Sequence, residues 1–264
     1  MTRVAGGVPP EGVAARAAAA AQVFVDDPSS PELTDDDLHH LVRVLRLRAG
    51  EVVVASDGHG RWCPCRLQDL GQSRSSLLSP AGPVVTEDAP TPPLTVAFAP
   101  VKGDRPEWLV QKLTELGVDR IVPLLTARSV VRWDGDRAAR AVAKLRRVAR
   151  EAAAQCRRVW LPAVTEVRTL ADLARSTGDG VTALAQLGGE PPAPGTTFVA
   201  VGPEGGWAPE ELDLGLPAVG LGPFVLRSET AAVAAGSILA ALRAGTVVGS
   251  TGARRPRPEV EGSS

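Results

Sequence analysis

The sequence predicts an α/β protein in which a mostly parallel sheet, covered by helices, follows a small β-rich module. Three observations carry this. From Leu94 to Arg243, apolar strand-length runs alternate with helical patterns, the signature of strand–helix–strand units. Between Gln22 and Val85, short apolar runs are separated by turn residues instead. The Pro-rich segment Glu87-Asp88-Ala89-Pro90-Thr91-Pro92-Pro93 divides the two regions, as a linker does. The expected organisation is a flexible N-terminal extension over 1–21, a β-rich domain over 22–86, a linker over 87–93, the large domain over 94–248 and a disordered tail over 249–264.

Each element has a local reason. Val23-Phe24-Val25, Glu51 to Ala55 and Gly60 to Cys63 read as strands, and Asp57-Gly58-His59-Gly60 joins the last two as a hairpin turn. Asp35 to Arg46 reads as a short helix capped by Thr34 or Asp35. Leu94 to Ala99 and Arg120 to Leu125 are strands, with an amphipathic helix from Pro106 to Leu116 between them, stopped by Gly117. Asp136 to Cys156 is a long helix. Strands follow at Val181 to Leu187, Thr197 to Val201 and Ala218 to Leu221, with a short helix from Pro209 to Leu214. Glu229 to Arg243 closes the domain as a helix with Gly245 at its end.

Composition narrows the function classes. Hydrophobic residues make up 44% and charged residues 22%, which supports a packed core. No uncharged apolar run is long enough to span a bilayer. The first 21 residues, with Ala17 to Ala21 behind Arg16, lack the greasy stretch of a secretory signal. Cys63, Cys65 and Cys156 are too few for a disulfide framework, and Cys63-Pro64-Cys65 has no second pair at metal spacing. Ordinary thiols in a reducing cytoplasm, and no metal site, are expected. With a net charge of −1, any anionic partner must be met by a local patch.

Four segments can carry chemistry. Phe198 to Val201 runs straight into Gly202-Pro203-Glu204-Gly205-Gly206, and open α/β sheets bind ligands beyond the carboxyl ends of such strands. A second strand end, Leu221-Gly222, leads through Pro223-Phe224-Val225-Leu226 to Arg227-Ser228-Glu229-Thr230-Ala231. Ser228 suits a helix N-cap and Glu229 the positive helix end. Arg227 stands at the unfavourable end for a cation, which points to an anionic partner. The third segment is charge: Arg128 to Arg158 holds ten Arg or Lys against three acids, net +7. Arg137, Arg140, Lys144 and Arg147 share one helix face, whereas Val142, Leu145, Ala149 and Ala152 face elsewhere. A solvated face or a phosphate-backbone contact both account for it. Arg43, Arg46 and Arg48 make a smaller cluster beside His39 and His40. The fourth runs from Lys102-Gly103-Asp104-Arg105 through Glu107-Trp108 to Gln111-Lys112 and Glu115-Leu116-Gly117, where Glu107, Gln111 and Glu115 are four apart.

In order and spacing these segments, with Gln155-Cys156-Arg157, resemble the SPOUT superfamily of RNA methyltransferases. Within it they are similar to the bacterial small-subunit ribosomal RNA uridine N3-methyltransferase family (RsmE). His39-His40-Leu41-Val42-Arg43-Val44-Leu45-Arg46 with Asp57-Gly58 is similar to that family's PUA-like RNA-binding module. The resemblance covers residues 22 to 245. It implies a SPOUT-type parallel sheet with a C-terminal trefoil knot behind a PUA-like domain, and a homodimer. It implies S-adenosylmethionine bound in loops around Leu184 to Gly189, Gly202 to Gly206 and Leu221 to Leu226. The cofactor residues would be Leu184, Gln186, Gly202, Pro203, Glu204, Gly205, Gly206, Leu221, Gly222, Leu226 and Ser228. The product would be 3-methyluridine in small-subunit (16S) ribosomal RNA. The chain departs from the family at Ala154, where an acid is usual, at Arg157, where Gly is usual, near Ala127, where an acid is common, and in its N-terminal extension.

Uridine N3 is a poor nucleophile until its proton is lost, so a base or a cation stabilising the uridinate is required. Arg227 is the first candidate for the cation, Glu229 for the base, with Glu115 and Gln155 behind them. Arg43, Arg46, Lys102, Arg105, Arg137, Arg140, Lys144, Arg147 and Arg157 are the candidate contacts to ribosomal RNA or the small-subunit particle. Two other readings stay open: a non-catalytic RNA-binding ribosome-assembly protein, and a nucleotide-binding enzyme acting on a small molecule. The first predicts RNA affinity without cofactor affinity. The second predicts that the basic helix face is dispensable.

Overall fold

The computed structural model describes residues 10–69, 77–175 and 181–247. The expected disordered tail and the first nine residues lie outside the described residues. Two sheets are present. The smaller has five strands: β1 (Ala21–Phe24), β2 (Val52–Ser56), β3 (Arg61–Leu67), β4 (Leu78–Pro80) and β5 (Val85–Thr86). β1 runs parallel to β2, and β3 pairs antiparallel with β2, β4 and β5. Its core closes over Val23, Leu41, Val53, Cys63, Cys65 and Leu67. Burial, with Cys63 beside it, pushes the Cys65 thiol up to about 12.

The helix expected over Asp35 to Arg46 is helix α2 (Asp35–His39) followed by a π-helical turn over His40–Val44. Thr34 and Asp37 form a reciprocal capping box at its start. The wider turn carries Leu41 into the core with no exposed surface. Arg46 then reverses the chain at φ 56°.

The larger sheet holds β6 (Thr95–Phe98), β7 (Arg120–Leu125), β8 (Ala163–Val164), β9 (Arg168–Thr169), β10 (Val181–Glu190), β11 (Thr196–Val201) and β12 (Ala218–Val219). The order is β12-β10-β11-β6-β7-β8, with β9 also on β7, and every pairing is parallel. Helices α3 (Arg105–Glu115), α4 (Gly135–Gln155) and α7 (Ser228–Arg243) cover one face through Leu109, Leu113, Val142, Leu145, Ala232 and Leu239. Helix α5 (Leu170–Arg175) and Trp207 cover the other through Leu170, Leu173, Leu124 and Ala200. Helix α6 (Pro209–Leu212) follows the glycine loop. Both faces are thus buried, which explains why the strands read as nearly continuous apolar runs.

The extension expected to be flexible folds in part as helix α1 (Pro10–Ala18), and Ala21 already belongs to β1. The reason is Arg16, which is buried. Its guanidinium donates to Glu87 at 3.1 Å and to the Arg157 carbonyl at 2.6 Å, and lies 5.6 Å from the Trp62 ring centroid. Trp62 Nε1 donates to the other Glu87 oxygen at 2.7 Å. A buried arginine requires such a set of partners. Gln22 donates to the Arg158 carbonyl and Arg150 to the Phe24 carbonyl, so the small sheet also sits on the end of α4.

At the amino end of the large sheet, Asp119 accepts from Arg158 at 2.6 Å, from Arg243 and from the Leu94 N–H at 2.9 Å. One carboxylate joins the starts of β6 and β7 to the ends of α4 and α7. Removing it leaves two largely buried guanidinium groups without a counter-charge. Asp119→Ala is expected to cost about 3–5 kcal/mol, read as a lower urea midpoint at unchanged slope.

Candidate active site

The later half of β10 and the segments that leave the carboxyl ends of β11 and β12 come together. Gln186 and Leu187, the loop Gly202 to Trp207, and the loop Leu221 to Leu226 surround a cavity of about 430 Å3, closed on the helix side by Ser228 and Ala231. That volume lies within the usual range for small-molecule sites. Of the residues expected to hold a cofactor, Gln186, Gly202, Pro203, Glu204, Gly206, Leu221, Gly222, Leu226 and Ser228 line it. Ser228 Oγ donates to the Gly202 carbonyl at 2.9 Å and joins α7 to the glycine loop. Trp207 Nε1 donates to the Ala185 carbonyl at 3.2 Å and joins that loop to β10.

The glycines are spatial requirements. A Cβ on Gly202 would stand 3.1 Å from the buried Trp207 ring. Gly206 has φ +70°, a region that favours glycine. The walls combine apolar surface from Trp207, Leu221 and Leu226 with Gln186, Glu204, Ser228 and loop backbone. Apolar walls for a flat base, few side-chain polar groups and glycine backbone approaching closely are the donor set that a nucleoside cofactor needs. S-adenosylmethionine fits these residues.

Four expectations are corrected. Leu184 is 1% exposed and packs into the core beneath the sheet, because the alternation of β10 turns it away from the cavity. Gly205 does not line the cavity; its carbonyl accepts from Arg128 at 3.0 Å on the outer side of the loop. Ser228 is the first helical residue, not the cap, and Arg227 occupies the N-cap position. Glu115 ends α3 at the amino edge of the sheet, paired with Lys112 at 2.8 Å, whereas Arg105 at the opposite end of α3 is the residue that meets Glu229. A catalytic role for Glu115 is therefore withdrawn, and Gln155, at the carboxyl end of α4, is likewise remote from the strand ends.

Arg157 is also not a free RNA contact. It sits at φ 62°, a conformation glycine adopts without cost. Its guanidinium is held by the carbonyls of Ala19, Ala20, Ala154 and Gln155. Two of the four departures from the family pattern, the extension and Arg157, thus stabilise each other. Arg43, Arg46, Arg137, Arg140, Lys144 and Arg147 are exposed.

Arg227 is exposed, and its side chain makes no hydrogen bond or ion pair among the described residues. Glu229, with a side chain 12% exposed, pairs with Arg105 at 3.4 Å. Its second oxygen is buried without a donor among the described residues. Glu107 pairs with Lys144, again through one oxygen only. Leu187, Phe224 and Val225 fall inside the implied cofactor loops and also line the wall, the last two 77% and 84% exposed. Sequence reasoning missed Trp207, an aromatic directly after Gly205-Gly206. It also missed Glu211, whose buried carboxylate accepts from the N–H groups of Ala127 at 3.0 Å and Ala208 at 2.8 Å.

An RNA methyltransferase domain model matches residues 87–240, and an RNA methyltransferase PUA domain model matches residues 33–77. The chain is 36% identical over 220 residues to the ribosomal RNA small subunit methyltransferase E of Mycobacterium bovis, covering 76% of this chain and 82% of that one. To the protein of the same name from Bacillus subtilis it is 28% identical over 227 residues, covering 78% and 88%. A solved ribosomal RNA small subunit methyltransferase E from Neisseria gonorrhoeae, bound to S-adenosylmethionine, superposes with a TM-score of 0.69 at 26% identity, covering 84% of this chain and 97% of that one. A methyltransferase of Legionella pneumophila in complex with the same cofactor gives 0.72 at 26% identity, covering 83% and 96%. On these matches the chain belongs to the RNA methyltransferase family that includes the ribosomal RNA small subunit methyltransferases E.

Proposed function

We propose that this protein transfers a methyl group from S-adenosylmethionine to N3 of a uridine in small-subunit ribosomal RNA. The observation that carries it is the cavity beside β10 and beyond the carboxyl ends of β11 and β12, lined by nine of the residues that the family resemblance points to. Bound there, S-adenosylmethionine supplies a methyl group activated by its sulfonium. Gly202, Trp207 and Leu226 fix the geometry and exclude water, which an in-line displacement requires. Leu226 and Ser228 line the cavity, so Arg227 between them is the cation that opposes negative charge spreading over the uracil oxygens. Glu229 accepts the N3 proton. The target base leaves its stack to reach the site.

The exposed cations of α4 and of the small domain hold the RNA backbone. Exposed Leu187, Phe224 and Val225 at the cavity, with the Ala-rich α7, support a homodimer built on this face; the trefoil knot is part of the proposal through the family resemblance alone. None of the helices among the described residues is long and apolar enough to cross a membrane, and the reading places the enzyme in the cytoplasm with its ribosomal substrate. The small sheet, with α1 and Ala21 folded onto it, serves as the RNA-binding module, and the large parallel sheet as the methyltransferase domain.

The test is to incubate the protein with labelled S-adenosylmethionine and unmodified 30S particles or their naked RNA, then map the product by mass spectrometry. A single 3-methyluridine is expected. Cofactor binding with the label on another atom or base overturns the N3 assignment. RNA binding with no cofactor binding leaves the assembly-protein reading.

A further inference from the structure

We infer that a second cavity, beside the methyl-transfer site, is a subsite for a nucleotide flanking the target uridine and selects a base that carries an exocyclic amino group. This rests on the proposed function for its substrate class. The cavity measures about 260 Å3 and lies where β6 ends and α3 begins, against α4. β6 pairs with β11, so its carboxyl end is the direct neighbour of the glycine loop. The Arg105–Glu229 pair bridges α3 to α7 at the same edge.

Its lining divides by chemistry. Trp133 and Val131 give an aromatic and apolar wall, and Trp133 is half-buried against the main core, which holds its ring in place. Exposed Lys102, Arg137 and Lys144 stand round it as three cations. Glu107 is the single acid in the lining. A plain phosphate site gains nothing from a carboxylate, because two acceptors repel. A nucleotide uses all three parts: phosphates on the cations, a base face against the indole and a base donor on the acid.

The state of Glu107 gives the donor its place. One carboxylate oxygen takes Lys144; the other is shut from water with no donor among the described residues. An acceptor in that state costs free energy until a donor arrives. Lys144 is 54% exposed and can turn outward to a phosphate. Glu107 then turns its carboxylate to the incoming base. Adenine, cytosine and guanine carry an exocyclic amine, and uracil does not. Uracil's one donor, N3–H, sits between two carbonyl oxygens that a carboxylate repels, whereas an exocyclic amine projects clear of the ring, so the acceptor pairs better with an amino-bearing base.

The test uses fluorescein-labelled heptaribonucleotides with a central uridine in a uridine background, the nucleotide on either side changed in turn to A, C or G. Anisotropy titrations at low salt with saturating S-adenosylmethionine give affinities. At one flank, the wild type is expected to bind an amino-bearing base about tenfold more tightly than uridine, the size set by one buried polar contact. Glu107→Leu, of similar size, is expected to erase that preference without lowering the all-uridine affinity, because it releases Lys144 for a phosphate. Trp133→Leu is expected to weaken binding of every sequence. The inference is overturned by equal wild-type affinity for all flanks, by a uniform loss in Glu107→Leu, or by sensitivity to a 2′-deoxy flank without sensitivity to its base. Should Glu107→Leu not fold, by its circular dichroism, the wild-type flank comparison alone decides. Calorimetric cofactor binding on the same preparations separates the two failures: its absence removes the proposed function, whereas its presence without flank discrimination removes only this subsite.

Discussion

Arg227→Ala is expected to slow methyl transfer about 100-fold or more, the usual weight of one preorganised charge contact, while S-adenosylmethionine binds as before. Arg227 is exposed and has no partner within the described chain, so the fold does not depend on it. It occupies the N-cap of α7, where the helix dipole disfavours a cation by about 0.3–1 kcal/mol. Its removal should therefore hold or slightly raise the melting temperature. A fall in rate together with unchanged or higher stability is the mark of a residue kept for chemistry. Arg227→Lys should recover part of the rate, because a point charge remains while the planar fork is lost. Single-turnover kinetics on the RNA substrate, with calorimetry for the cofactor, read both quantities. An unchanged rate in Arg227→Ala would remove the arginine from the mechanism and leave Glu229 and Arg105 to be tested in its place.

Gly189→Ala is expected to weaken cofactor binding more than tenfold and to cost about 1–3 kcal/mol of stability, as overpacking does. A Cβ there would stand 2.6 Å from the Val219 carbonyl carbon, and one on Gly220 would stand 2.5 Å from the Gly189 oxygen. Both contacts are with backbone, which cannot turn aside as a side chain can. The Gly220 N–H donates to the Glu190 carbonyl at 2.9 Å across the same approach. This contact sets the separation of the segments that carry Gln186 and Leu187 on one side and Leu221 to Leu226 on the other. Forcing it open widens the cavity. Gly195→Ala is the control, since nothing lies within 4 Å of its Cβ position. Equal cofactor affinity in the two variants would show that the loops adapt and that the glycine pair is not a determinant.

Much of the active site was legible because its residues are local in sequence. A strand ending in Gly-Pro, twice in succession, marks strand-end loops, and the family resemblance added the residues within them, nine of which line the cavity. Leu184 failed because a one-residue step along a strand reverses the side-chain direction, and register is invisible in a loop motif. Glu115 failed because spacing along α3 shows which face is shared, not which end of the sheet the last turn reaches. Arg157 and the N-terminal extension each looked anomalous alone. Their joint explanation needs residues 16, 87 and 157 in one place.

The sequence by itself determined the α/β class, the order of the elements, the two glycine loops and the exposed basic face of α4. Those features follow from periodicity, turn chemistry and charge spacing, all set within a dozen residues. Only the tertiary structure decided which glycines face the cavity, that Arg105 pairs with Glu229 and Lys144 with Glu107, and that Asp119 joins four elements. Each of these depends on residues far apart in the chain, whose meeting is fixed by parallel strand register and helix packing, and no local pattern encodes such distances.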